Sequence, residues 1–161
     1  MNRSIWPALA LALAALGPTG CSGGADETTA PSDPAAPEGI SVTDGRMSLP
    51  PVAGNPAAVY FTITNAGTKD MFIRSAFVDG AGTATLHMMA TWDRKADMQE
   101  ITQQPVRAGE TVKFAPGGLH VMVSDLDPSL VAGGTTEVTL TFAGGDKVSF
   151  PVEILAAGDA R

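Results

Sequence analysis

Two seven-residue stretches near the C-terminus, Thr136–Phe142 (TEVTLTF) and Val148–Ile154 (VSFPVEI), alternate strictly in side-chain character and flank a glycine pair, Gly144-Gly145. Side chains on an extended strand point to opposite faces in turn, so this two-residue period predicts two half-buried strands joined by a glycine turn. The same grammar runs upstream. Ala58–Asn65 sets Val59, Phe61 and Ile63 against Tyr60, Thr62 and Thr64 and closes on Asn65-Ala66-Gly67. Met71–Val78 and Thr83–Thr91 read as strands joined across Asp79–Gly82, followed by Glu110–Phe114 and Leu119–Ser124. Turns fall at Pro116-Gly117-Gly118, Asp127-Pro128 and Gly133-Gly134. No helix of ordinary length is evident. Short β-branched and aromatic runs separated by Gly, Pro, Asn and Asp predict one all-β domain, a β-sandwich or barrel of about eight strands, over residues 40–156 with a short tail at 157–161.

The N-terminal 39 residues lack this grammar. Arg3 precedes an almost wholly apolar run, Ile5–Leu16, too short to cross a bilayer core of about 30 Å as a permanent helix but long enough for the core of a signal peptide. Residues 1–20 are therefore expected to be a signal segment. Thr19 and Gly20 lead into Cys21, the one cysteine in the chain. This junction resembles the lipobox of bacterial lipoproteins, with Pro18 in place of the usual aliphatic residue, and the resemblance makes Cys21 a lipidation site. Ordinary cleavage nearby, leaving a free thiol, is the alternative; acylation removes the disulfide liability of a lone thiol in an oxidising compartment. Ser22–Gly39 (SGGADETTAPSDPAAPEG) has no aliphatic side chain larger than alanine to offset the entropy of ordering it. Residues 21–39 thus read as anchor and tether, with an r.m.s. reach of roughly 25 Å. The expected location is the periplasm or cell envelope, on a membrane, with the outer membrane one option.

Charge narrows the partners. The formal net charge is −7, spread over scattered acids, and no Lys/Arg cluster interleaves with aromatics, which argues against nucleic acid.

Chemistry concentrates in one stretch. The chain has two histidines, His87 and His120. Of the six methionines after Met1, four (Met88, Met89, Met98 and Met122) lie between His87 and Met122. In the strand LHVMV, His120 and Met122 are two apart and share a face, presenting an imidazole beside a thioether. His87 ends the segment TATLH, and Met98 follows the polar run DRKAD, read as a turn that brings its sulfur back toward His87. Two imidazoles and two thioethers select copper(I), because zinc and iron sites recruit thiolate or carboxylate. Thioethers also need no deprotonation and cannot be lost to disulfides outside the cytoplasm. Met89 shares a face with His87 and is either a further sulfur ligand or a packing residue. Met88 should face the other way. Trp92 either covers the metal or caps the apolar edge beside the hairpin.

Ten residues separate His87 from Met98, twenty-one separate Met98 from His120, and His120-Val121-Met122 completes the pattern. This spacing resembles the motif of the periplasmic copper chaperones called PCu(A)C. AAVYFTITNAG, RAGETVKFAPGGLHVMV and VTLTFAGGDKVSFPVEI are also similar to that family, so the resemblance extends over Ile40–Ile154. It implies a cupredoxin-like (immunoglobulin-like) β-sandwich. It further implies one copper(I) held by His87, Met98, His120 and Met122 and delivered to a client copper protein, the binuclear copper site of cytochrome c oxidase or a thiol-bearing chaperone.

No Ser/His/Asp, Cys/His or paired-carboxylate arrangement is evident, so no enzyme is expected. A blue-copper carrier would need His₂Cys, and Cys21 lies before the tether. A monomeric copper carrier is the leading reading. Copper sequestration for tolerance, and a metal-free structural lipoprotein, stay open as alternatives.

Overall fold

The structure is a computed structural model that describes residues 36–92 and 95–159. The expected signal segment, Cys21 and most of the tether lie outside the described residues. Ten strands form the domain: β1 (Ile40–Ser48), β2 (Ala57–Asn65), β3 (Met71–Val78), β4 (Ala81–Trp92), β5 (Lys95–Glu100), β6 (Gln104–Val106), β7 (Thr111–Phe114), β8 (Leu119–Leu126), β9 (Thr135–Phe142) and β10 (Lys147–Leu155). They hydrogen-bond in the order β5-β4-β8-β7-β2-β1-β10-β9-β3-β6, with β8 also paired to β2. β4 and β3 stand near opposite ends of this order, yet Leu86 of β4 and Ile73 and Val78 of β3 bury in one common core. The strand array therefore folds back on itself as a β-sandwich, with most pairs antiparallel and β1–β10 and β7–β8 parallel.

Alternation fills that core. Val59, Phe61 and Ile63 of β2 are buried while Tyr60, Thr62 and Thr64 between them are half-exposed. Val138, Leu140 and Phe142 of β9 and Val148, Phe150, Val152 and Ile154 of β10 do the same across the hairpin register Val148↔Leu140. Phe61 stacks on Phe114 with ring centroids 4.2 Å apart and meets Phe150 at 5.1 Å.

Two strands escape the alternation pattern. β5 (KADMQE) pairs only with β4 and ends the strand order, so neither face must bury apolar side chains, and Asp97, Met98, Gln99 and Glu100 are all exposed. Lys95–Asp97, expected as turn, are thus strand residues. β6 is three residues long at the other edge and buries only Val106.

β1 carries a bulge that bears on the site. Between the pairs Thr43↔Thr62 and Arg46↔Tyr60, β1 has one residue more than β2. Asp44 takes a left-handed φ of 57° there, and a Cβ on Gly45 would stand 2.7 Å from the Pro151 carbonyl oxygen, so glycine is required. Val42 and Met47, five apart, would face opposite ways on a regular strand; the extra residue lets both bury. It also sets Arg46 over the Tyr60 ring, 5.4 Å from its centroid.

Asn65 ends β2 and is 1% exposed. Its Nδ2 donates to the carbonyls of Lys69 (2.8 Å) and Val106 (2.9 Å), and its Oδ1 accepts from the Gly67 amide (3.0 Å). Asn65→Ala removes the partner of the buried Val106 carbonyl and of two part-buried backbone groups, so a loss of about 1–3 kcal/mol is expected in chemical denaturation, at the end of β2 remote from Ala58 and the histidines.

Candidate metal centre

Strands β5, β4, β8 and β2 lie side by side, and their register decides which side chains share a face. His87 of β4 pairs with His120 of β8, and Thr85 with Met122. Across β4, His87 pairs with Glu100 and Met89 with Met98 of β5. Across β8, Met122 pairs with Ala58 of β2, and Tyr60 is two residues on. Parity thus gathers Met98, His87, Met89, Thr85, His120, Met122, Ala58 and Tyr60 on the outer face. The intervening Leu86, Val121, Val123 and Val59 form the core face, buried to 3% exposure or less. The hydrophobic pattern of the core fixes this register, because a one-residue slip would turn the histidines inward.

The two imidazoles sit together, ring centroids 5.7 Å apart and 31° from parallel. Both are 7% exposed, the only buried titratable side chains among the described residues. His120 Nδ1 donates to the Gly118 carbonyl at 3.0 Å; the carbonyl can only accept, so Nδ1 carries the proton. In the neutral ring, Nε2 is then a bare lone pair, and the Met98 Sδ stands 3.2 Å from it. Two lone pairs so placed do not bond each other. Their separation is close to the edge of a tetrahedral site, about 3.5 Å for metal–nitrogen and metal–sulfur bonds of about 2.0 and 2.3 Å. Met98 lies two strands from His120 and reaches it over β4, while remaining 47% exposed.

His87 Nε2 lies 3.0 Å from Thr85 Oγ1, and its Nδ1 is buried with no hydrogen-bond partner. Burial, with the neighbouring His120 charge adding to it and Glu100 opposing, holds the His87 pKa below that of a free imidazole. The neutral, lone-pair-bearing form is thereby favoured.

His120, Met122 and Met98 share an open pocket of about 430 Å³ with Tyr60, Ala58 and the β1–β2 loop prolines Pro50, Pro51 and Pro56. Tyr60 stands 6.4 Å from the His120 ring, and burial pushes its phenol pKa up, with Arg46 working against the shift. Among the described residues no group of three or more His, Cys, Asp or Glu is placed to hold a metal, so no hard-ligand cage competes with the His/Met set.

Met98 and His120 touch, His87 stands beside His120, and Met122 joins Met98 and His120 in the pocket lining. Met89 faces Met98 across the β4–β5 pair and is half-buried; Met88, opposite in parity, is 39% exposed. The Trp92 side chain lies outside the described residues. Nothing in the residue pattern signalled that Thr85 and the Gly118 carbonyl would hold the imidazoles, or that Tyr60 would line the pocket, since each depends on register.

Fold and site together define a cupredoxin-like β-sandwich of the PCuAC type, with a soft His/Met face on one sheet edge. Residues 40–154 match the family described as "Putative lipoprotein LpqE-like", and the chain belongs to that family. A curated relative, "Putative lipoprotein Lxx21020" of Leifsonia xyli subsp. xyli, is 32% identical over 99 residues. That match covers 60% of this chain and spans only 60% of the relative's length. Among solved structures, the copper-bound PCuAC domain from PmoF2 aligns with a TM-score of 0.61 at 18% identity, over 73% of this chain and 93% of that one. The solution structure of CuI-DR1885 from Deinococcus radiodurans aligns at 0.57 and 24% identity, over 82% and 85%. At such identities the likeness establishes the fold, and it is the fold that the family resemblance implied.

Proposed function

We propose that this domain is an extracytoplasmic copper(I) carrier, binding one ion through His87, Met98, His120 and Met122 and passing it to another protein. The observation that carries the reading is the Met98 sulfur 3.2 Å from His120 Nε2, with Nδ1 of the same ring held by Gly118. An imidazole fixed by an outer hydrogen bond and facing a thioether is a preformed soft half-site. Its copper-bound structural neighbours support the choice of metal.

The donor set also suits transfer. Thioethers bind copper(I) without the hold of a thiolate, so a recipient offering thiolates can take the ion. Met98 lies exposed on edge strand β5 and gives such a recipient a point of attack, whereas both imidazoles stay buried. The resemblance in sequence points to the binuclear copper site of cytochrome c oxidase, directly or through a thiol-bearing chaperone, as client. Lipidation of Cys21 would tether the carrier to the membrane on which such a client resides.

Purified protein titrated against copper(I)–bicinchoninate is expected to withdraw one equivalent and bleach the complex. Colour that persists at one equivalent of protein contradicts the reading. In cells, loss of the protein should lower oxidase activity in a way that added copper restores.

A further inference from the structure

The two histidines are anchored by the same device and present different nitrogens. Each ring has one nitrogen tied to an oxygen two residues upstream: Nδ1 of His120 to the Gly118 carbonyl, Nε2 of His87 to Thr85 Oγ1, both at 3.0 Å. Such outer hydrogen bonds set which ring nitrogen is protonated and leave the other as the metal donor. For His120 the free nitrogen is Nε2, the one beside the Met98 sulfur. For His87 the free nitrogen is Nδ1, buried and without a partner. Buried N–H groups without any partner are rarer in folded proteins than buried acceptors without one, which favours a bare lone pair at Nδ1. In that tautomer the hydroxyl of Thr85 accepts from His87 Nε2–H.

From this we infer that Thr85 is a positioning residue of the copper site and that the ion is held by mixed imidazole coordination, His120 through Nε2 and His87 through Nδ1. The inference rests on the copper reading and refines it. Thr85 is half-buried on β4, on the face of His87, and its register partner on β8 is the ligand Met122. Its hydroxyl thus sits beside His87 on the face shared with Met122, on a residue only partly open to water.

Protein carrying ¹⁵N-labelled histidine, observed by long-range ¹H–¹⁵N correlation with and without one equivalent of copper(I), tests it. The apo spectrum should show His87 protonated at Nε2, and copper(I) should move the Nδ1 resonance of His87 and the Nε2 resonance of His120. Copper on His87 Nε2 overturns the inference and leaves the copper site standing; no shift at either histidine overturns the copper reading itself. Thr85→Val, which keeps the shape and removes the acceptor, should lower copper(I) affinity about tenfold, as loss of other outer-sphere partners does. Thr85→Ser should restore it. Wild-type affinity in a folded Thr85→Val protein overturns the inference, and the tautomer spectrum of the unmodified protein decides the matter if that variant does not fold.

Discussion

His120→Ala is expected to abolish stoichiometric copper(I) capture, lowering affinity by more than the roughly 100-fold that loss of an outer-sphere partner can cost. The substitution removes a nitrogen in contact with a thioether and empties the cluster, since His120 also neighbours His87 and lines the pocket with Met122. Met98 and His87 would then each lose a neighbouring donor. The apo fold should change little. His120 stands on the outer face of β8, and the core residues on either side, Val121 and Leu86, pack without it. One hydrogen bond to Gly118 is lost, a matter of about 1 kcal/mol. Bicinchoninate competition reads the affinity and denaturant unfolding reads the stability. A variant that still withdraws copper(I) like the wild type would remove His120 from the site.

Phe61→Ala should do the reverse, costing about 3–5 kcal/mol of stability while sparing the proposed ligands. The ring is 1% exposed, stacks on Phe114 and meets Phe150, so it joins β2, β7 and β10 at the middle of the sandwich. Its loss leaves a cavity that three strands cannot close by small shifts. The expected loss is a large share of the roughly 5–15 kcal/mol that holds a domain folded. Phe61 faces away from the His/Met face, whose β2 representatives are Ala58 and Tyr60. The fraction that remains folded should still bind one copper(I). A loss below about 1 kcal/mol in urea unfolding would mean that the aromatic stack is not the centre of the core.

These two outcomes reflect what was legible in the chain beforehand. β2, β9 and β10 could be read because each has one buried face, and burial writes itself as alternation. β5 and β6 could not, since they sit at the ends of the strand order and owe their place to backbone pairing with β4 and β3 rather than to a buried stripe. The pairing of His120 with Met122 was legible because it needs only the two-residue period of one strand. The reach of Met98 to His120 was not, since Lys95–Asp97 read as turn and the sulfur approaches from a strand that the pattern did not reveal. Thr85 and Gly118 stayed hidden for a different reason: a threonine or glycine two residues before a histidine has no meaning until ring orientation is known.

X-ray absorption at the copper edge of the copper(I)-loaded protein tests the central claim most directly. Two nitrogen and two sulfur neighbours around a single reduced copper are expected, with one sulfur lost in Met98→Leu. A shell of nitrogen and oxygen alone, with no sulfur scatterer, would contradict it.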